Sequence, residues 1–205
     1  TTISLFLITI LLSLPLGFCF TLIARSKIGP ARWVMNGIIY IVRGTPLLLQ
    51  LLFVYFGLPY LPLIGDFLRM ERFTASCVTF VVNYACYFAE IFRGGLNSIP
   101  KGQFEAAQSQ GFSFLQTLWY IILPQTYKKV IPALLSQDIT IIKDTSFLKM
   151  VDVAEFMRNC AIVMGSIYDV RGMIMLLAFE GICYFVICFA LSCVVRGYQK
   201  TIVTA

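Results

Sequence analysis

The chain has 205 residues, of which 59% are hydrophobic and 13% are charged, and its mean hydropathy is +0.85. Soluble domains are about 45–50% apolar and about 25% charged, so this composition argues against a water-soluble domain and predicts a protein that lies in lipid. The formal charge of +6 comes without a basic run interleaved with aromatic residues, which argues against a nucleic-acid partner and is typical of cytoplasmic loop bias.

Five apolar segments follow along the chain, and one membrane-spanning helix needs roughly 20 apolar residues. They cover about residues 3–24, 35–59, 73–92, 130–142 and 173–195, and the fourth is short. The second contains Arg43-Gly44-Thr45-Pro46, which predicts a helix break where freed backbone groups face a cavity or protein. We predict an all-α integral membrane protein, a single transmembrane domain over residues 1–205 with about five helices. Because the sequence starts at Thr1 rather than methionine, we expect a short native N-terminus to precede it.

Lysine and arginine residues predict an N-terminus outside and a C-terminus inside, because cytoplasmic loops carry an excess of these residues. With five spans in that orientation, the inside segments hold Arg25, Lys27, Arg32, Arg93, Lys101, Lys128, Lys129, Arg196 and Lys200. The outside segments hold Arg69, Arg72, Lys143, Lys149, Arg158 and Arg171. The only acidic residue in the inside loops is Glu105, which strengthens the asymmetry.

Cysteine and histidine usage argues against metal or redox chemistry. The chain has seven cysteines, no histidine and no C-x-x-C pair, so neither a zinc site nor a redox dithiol is supported. Most of the cysteines lie in apolar runs and are predicted to be small buried hydrophobes. The phosphate-binding pattern G-x-x-x-x-G-K-[ST] is also missing, so we expect no cofactor in this chain and ATP binding on another one.

Residues 97–129, between the third and fourth spans, are too polar at their start to cross a membrane. Helix-forming residues stop at Gly111, which predicts a short helix along the cytoplasmic face. The segment contains Glu105-Ala106-Ala107, then Gly111 after three residues, and Ile121-x-Leu123-Pro124 after nine more. Alanines allow close approach to a partner, Glu105 offers a charge, and Gly111 permits a turn. For the Glu-Ala-Ala triplet alone, a plain helical hairpin turn is the alternative.

This spacing matches the E-A-A-x3-G-x9-I-x-L-P signature of ABC importer permeases. Three further segments, Arg43–Leu51, Tyr87–Gly95 and Lys143–Ser146, resemble the polar amino acid permeases of that family, with Cys86 and Gln110 as small departures. The resemblance covers residues 2–200 and implies a type I permease fold in a bacterial inner membrane. It implies a polar amino acid as cargo, an extracytoplasmic amino-acid-binding protein, and a second permease subunit, identical or related. It also implies an ATPase subunit dimer that binds ATP and Mg and docks at Glu105, Ala106, Ala107 and Gly111.

Ionisable groups inside spans are costly, so each one is a candidate functional residue. Asp138 and Asp144 are six residues apart, about 120° on a continuous helix at 100° per residue. The resemblance implies that both bind charged groups of the substrate, and two carboxylates favour a basic amino acid. Asn83 is a third candidate for the same cavity. The alternatives are a pair of Asp144 with Lys143 or Lys149, and interhelical hydrogen bonds for Asp138 and Asn83.

Glu90 and Arg93 are three residues apart on a helix and are predicted to pair with each other, and Glu180 is predicted to pack against another helix. Two other functions stay open at this point. An intramembrane aspartyl-type enzyme would use the two membrane aspartates, and Tyr168-Asp169 resembles half of a presenilin-type motif. A stand-alone carrier would leave residues 105–124 without a role, and the chain has no second, inverted half.

Overall fold

The computed structural model describes residues 1–204, with side chains described for residues 1–197; this part of the chain contains no strand. The helices are α1 (Thr2–Ala24), α2 (Gly29–Gly44), α3 (Leu47–Leu52), α4 (Arg72–Asn97), α5 (Lys101–Ser109), α6 (Phe114–Gln116), α7 (Leu123–Asp144), α8 (Phe156–Gly165) and α9 (Val170–Thr204). Turns of π- or 3₁₀-helix extend several of them, at Phe53–Gly57, Leu58–Tyr60, Thr117–Ile122 and Thr145–Val151. The predicted all-α fold is confirmed.

Among the described residues, three helices are long and apolar enough to cross a membrane: α1, α4 and α9 over Val170–Gly197. A fourth span is broken, because α2 and the helical segment Leu47–Tyr60 pass the same test together with a bend of 106° between them. These counts are lower than the five spans predicted. The difference lies in α7, which has 22 residues but includes Lys128, Lys129, Asp138, Lys143 and Asp144.

Helices α1 and α4 pack against each other through small and hydroxyl-bearing residues. The buried face of α1 contains Thr9, Ser13, Gly17 and Thr21, spaced four residues apart. A Cβ atom at Gly17 would lie 2.8 Å from both the carbonyl oxygen of Ala85 and the Cβ of Phe88. The Thr21 hydroxyl donates to the Ala89 carbonyl at 3.0 Å. Because lipid tails are as apolar as side chains, such close backbone approach is what holds membrane helices together.

The main core lies where α1, α3 and α4 meet α7 and the 3₁₀ turn that follows it. Its fully buried members include Leu5, Leu51, Phe80, Phe88 and Ile141. At the other end of α4, Gly95 allows α7 to approach closely, because a Cβ atom at this position would lie 2.2 Å from Cγ1 of Val130.

Helix α9 is peripheral by comparison, with 6% of its most apolar stretch buried. Its Glu180 is 8% exposed and lies near Cys160 of α8, so the predicted burial of Glu180 against another helix is confirmed. The cysteines fit their prediction in part: Cys86 and Cys160 are buried, but Cys19 and Cys193 are exposed on apolar helix faces.

Candidate functional site

The break between α2 and α3 is a consequence of the Thr45-Pro46 dipeptide. A proline disfavours helical geometry at the residue before it, and it has no N–H to continue the helix. Thr45 is accordingly extended, with φ −118° and ψ 146°, and Pro46 begins the new direction with φ −63° and ψ 133°. The predicted interruption of the second span is confirmed, and the 106° bend forms an elbow in the membrane segment.

Side chains satisfy the backbone groups that the elbow leaves free. The Gln50 amide nitrogen donates to the Val42 carbonyl at 2.7 Å and to the Thr45 hydroxyl at 2.7 Å. The Thr45 carbonyl also accepts from it, at 3.2 Å. Asn83 of α4 donates to the Gln50 side-chain oxygen at 2.9 Å, which ties the elbow to the neighbouring span. A buried polar group without a partner is costly, so this network is needed wherever the backbone leaves the helix inside lipid.

A cavity of about 440 Å³ lies against the elbow, between α3, α4 and α7. Its lining residues are Thr45, Pro46, Leu47, Leu48, Asn83, Tyr84, Tyr87, Gln137, Thr140, Asp144 and Phe147. The structure therefore brings Asp144 and Asn83 to one cavity. Asn83 is 2% exposed, and its side-chain nitrogen already donates to Gln50, so it also connects two helices.

Asp144 is the acidic residue among the cavity-lining residues. Its Oδ2 accepts a hydrogen bond from the Tyr84 hydroxyl at 2.6 Å. Neither Lys143 nor Lys149 forms a direct ion pair with it in the described part of the chain, although Lys143 is near enough to attract the carboxylate. Its hydrogen bond comes from a neutral tyrosine, so Asp144 has no direct ion pair among the described residues.

Asp138 does not line the cavity, although the sequence prediction placed it with Asp144. The reason is helix periodicity. Gln137 and Thr140 line the cavity with Asp144 because they lie seven and four residues before it, on one face of an α-helix. Asp138 lies roughly 120° from Asp144 around the same unbroken helix, so the two aspartates do not face one cavity.

A cluster of three charges lies one turn further along α4. Glu90 pairs with Arg93 at 2.6 Å, which confirms the predicted pair. Arg43, at the end of α2, joins the cluster at 3.7 Å from Glu90, and its guanidinium lies 5.2 Å from the ring centroid of Tyr87. Since Tyr87 lines the cavity, Arg43 connects the cavity wall with the Glu90 cluster.

The predicted short helix is present as α5, Lys101–Ser109, and it ends where the sequence indicated. Gly111 has φ +79°, a left-handed conformation that glycine adopts without strain. The Phe112 N–H donates to the Ala107 carbonyl at 3.1 Å and the Gly111 N–H to the Gln108 carbonyl at 3.0 Å, the pattern of a Schellman motif. Ala107 is 3% exposed, whereas Glu105 and Ala106 are exposed, so α5 presents Glu105 outward.

The sequence reasoning missed Gln50, Tyr84, Gln137 and Thr140 as residues of the site. Gln137 and Thr140 could have been predicted, because their spacing to Asp144 places all three on one helix face. Tyr84 and Gln50 could not, because only tertiary packing brings them to the site. Within the described residues, no group of three or more His, Cys, Asp or Glu is placed to hold a metal ion.

The chain is similar in sequence to several known proteins. Residues 13–203 match the family of binding-protein-dependent transport system inner membrane components. The chain is 33% identical over 200 residues to the L-cystine transport system permease protein TcyB of Bacillus subtilis, covering 97% of this chain and 82% of that one. It is 30% identical over 199 residues to the arginine transport system permease protein ArtQ of Bacillus subtilis, covering 97% and 88%.

Solved structures show the same likeness. A crystal structure of an amino acid ABC transporter with histidines superposes with a TM-score of 0.85 and 29% identity, covering 98% of this chain and 90% of that one. The methionine transporter MetNI, in an inward-facing conformation, has a TM-score of 0.66 and 21% identity over 96% of this chain and 90% of the other, which supports the fold.

Proposed function

Since the chain belongs to the family of binding-protein-dependent transport system inner membrane components, we propose that it translocates a polar amino acid across a bacterial inner membrane. It is a multi-pass permease subunit of an ABC importer, and such subunits work with an ATPase subunit and a substrate-binding protein. Relatives named for cystine, arginine and glutamine support the cargo class. The family assignment favours this function over the intramembrane enzyme and the stand-alone carrier.

The cavity at the elbow is the proposed path of the amino acid, with Asp144 binding its ammonium group. The observation that carries this is the position of the Asp144 carboxylate, on the cavity wall with Tyr84 as its neutral hydrogen-bond partner. A cation pairs strongly with a carboxylate where the effective dielectric constant is low. Asn83 would contribute to the polar surface of the wall.

Asp138 is less well supported than Asp144 as a substrate-binding residue. Among the described lining residues Asp144 is the sole carboxylate, and one carboxylate suits the ammonium common to all amino acids. The preference for a basic side chain, which rested on two aspartates, therefore loses support. We propose a zwitterionic polar amino acid as the simplest cargo for this cavity.

Glu105, Ala106, Ala107 and Gly111 are the proposed docking surface for the ATPase subunit. The outward position of Glu105 and Ala106 on α5 supports this role, because a cationic residue of the partner can reach both. Two permease subunits, identical or related, are proposed to pair, since four or five spans are too few to enclose a gated path. ATP and Mg would be bound by the partner ATPase.

The experiment uses the whole importer, with its ATPase and receptor, in lipid nanodiscs or proteoliposomes. Asp144→Asn keeps the shape and removes the charge, so it should weaken the apparent affinity for the amino acid about 5- to 150-fold, the equivalent of about 1–3 kcal/mol. Tyr84→Phe keeps the charge and should cost less. Asp66→Asn, at a fully exposed side chain, is the matched control and should leave uptake unchanged.

Uptake and substrate-stimulated ATPase activity are measured over a panel of amino acids. Unchanged affinity in both Asp144→Asn and Asp138→Asn would mean that the two aspartates are structural, and the proposed site would be wrong. A loss in Asp138→Asn alone would move the site to the other face of α7.

A further inference from the structure

A second cavity, of about 260 Å³, lies between the last turns of α4 and the first half of α7. It is lined by apolar and aromatic side chains, among them Phe18, Phe92, Leu96, Trp119, Tyr127 and Val130. The rings of Phe18 and Phe92 meet edge to face with centroids 5.7 Å apart. The hydroxyl of Thr126, which also lines the cavity, already donates to the Ile122 carbonyl at 2.8 Å. With its polar group satisfied, such a cavity favours a hydrocarbon over water.

The aromatic residues place the mouth of this cavity near the edge of the bilayer. Trp119 is 66% exposed and Tyr127 is 60% exposed, although both are large hydrophobic side chains. Tryptophan and tyrosine concentrate where the acyl chains meet the headgroups. In the predicted orientation, with the C-terminal ends of α1 and α4 at the cytoplasm, the cavity opens into the inner leaflet.

Positive charges lie at the same end. Arg25 follows Phe18 by seven residues, so it lies on the same face of α1, about 10 Å nearer the cytoplasm. Its guanidinium donates to the side chain of Asn97, at the end of α4. Lys128 is exposed and adjacent to Tyr127. The cytoplasmic leaflet is rich in anionic lipids, and basic residues at its surface attract them.

We propose that this cavity binds one acyl chain of an anionic phospholipid, whose phosphate is held by Arg25 and Lys128. The lipid would touch Trp119, which belongs to the π-helical turn Thr117–Ile122 between α5 and α7. Single π-helical turns are frequent at functional sites, and this one packs against α5. The bound lipid therefore supports the segment that connects the proposed docking helix with the span carrying Asp144.

Tryptophan fluorescence gives a direct test, because the chain has two tryptophans and one of them lines the cavity. In a Trp33→Phe background, the purified full chain is placed in phosphatidylcholine nanodiscs, and lipids with dibrominated acyl chains are added to quench Trp119. Half-maximal quenching should need about 25-fold less brominated phosphatidylglycerol than brominated phosphatidylcholine, about fivefold for each basic residue.

Two sets of variants test separately how the lipid headgroup and the lipid acyl chain contribute to binding. Arg25→Gln with Lys128→Gln should abolish the preference for phosphatidylglycerol, whereas Lys27→Gln with Arg32→Gln should keep it. Leu96→Phe fills the cavity and should reduce quenching by both lipids, whereas Leu11→Phe, at a side chain 72% exposed, should not. All four charge changes are at exposed positions, so they separate loss of the site from loss of the fold.

Equal quenching by the two lipids in the parent chain would overturn the proposal, as would a preference that survives the Arg25 and Lys128 changes. Absence of quenching by either lipid would mean that protein covers the cavity, and it would overturn the proposal as well. The proposal rests on the predicted orientation but not on the cargo, so failure of the amino-acid uptake experiment leaves it standing.

Discussion

Helices α1 and α4 run unbroken for 23 and 26 residues, whereas α2 and α3 break at Thr45 and Pro46 and bend by 106°. In the unbroken pair the inner backbone groups bond within their own helix, except at Pro15 of α1, which has no N–H to donate. The helices can therefore approach until Gly17 touches Ala85 and Phe88. In the broken pair, Gln50 and Asn83 supply the bonds that the helix lost.

The difference shows how polar residues divide between structure and function in this membrane protein. Gln50, Thr45 and the donating nitrogen of Asn83 are engaged in holding the elbow. Asp144 is different, because its charge has no ionic partner among the described residues. The cavity beside the elbow therefore contains one acidic group without a direct ion pair, and this group is the proposed ligand-binding residue.

The largest loss of stability is expected from a change that forces α1 and α4 apart. Gly17→Leu places side-chain atoms against the Ala85 backbone, which cannot move aside without separating the helices. Overpacking typically costs 1–3 kcal/mol, and we expect a loss of about 3 kcal/mol here. Gly37→Leu in α2, where a Cβ meets open space, is the matched control. Denaturant unfolding in mixed micelles compares the two, and equal stability would contradict the close contact.

Removal of the elbow network should cost somewhat less. Gln50→Met keeps the length of the side chain but removes its bonds to Val42, Thr45 and Asn83. Unsatisfied buried groups cost about 1–3 kcal/mol, so we expect a loss of about 2 kcal/mol and slower amino-acid uptake. Gln108→Met, at an exposed position of α5, is the control for stability. Normal stability and uptake in Gln50→Met would mean that the elbow needs no side-chain support.

A smaller loss of stability is expected at the turn after α5. There a glycine, rather than a network of side chains, allows the helix to end. Gly111→Val forces a β-branched residue to φ +79°, and the left-handed conformation costs roughly 1–2 kcal/mol for such residues. Gly111→Asn is the matched control, because asparagine adopts this conformation more readily. We expect Gly111→Val to insert normally but to lose ATPase attachment, as measured by co-purification. Equal attachment in both variants would contradict the proposed docking role.

The smallest effect is expected at the turn after α7, which two ion pairs stabilise. Asp152, at φ +58°, pairs with Arg158 at 2.5 Å and with Arg72 at 2.6 Å. The hydrogen bond and charge of Arg158, with a lesser effect of Arg72, hold the pKa of Asp152 below its usual value. A lowered pKa in the folded state means that the pair stabilises the protein above the ordinary Asp pKa of about 3.9.

That contribution is lost as the pH falls through the lowered pKa, because protonation removes the charge. Asp152→Asn should therefore lower the melting temperature slightly at pH 7 and low salt, and the difference should disappear in acid and shrink in high salt. Asp66→Asn, at a fully exposed side chain, is the control. A difference in melting temperature that persists unchanged in acid would show that the charge of Asp152 is not responsible.

Several features of this protein follow from local sequence. The apolar runs determined α1, α4 and α9, because about 20 apolar residues form a spanning helix whatever lies beside them. Thr45-Pro46 determined the break, and Gly111 determined the end of α5, because proline and glycine act through backbone geometry. The spacing from Glu105 to Pro124 identified the family, since it depends on residue order alone.

The site required the tertiary structure. The sequence made both Asp138 and Asp144 candidates, about 120° apart on a continuous helix, and the structure showed that α7 is continuous there and that only Asp144 lines the cavity. The apolar run at 130–142 belongs to a longer helix whose charged ends keep it below the apolarity of a free-standing span. Tyr84 reached Asp144 across 60 residues, and Gln50 reached Asn83 across 33, through packing between helices. Hydrophobicity is a property of each segment, but the partner of a polar group depends on which helices meet and at what rotation.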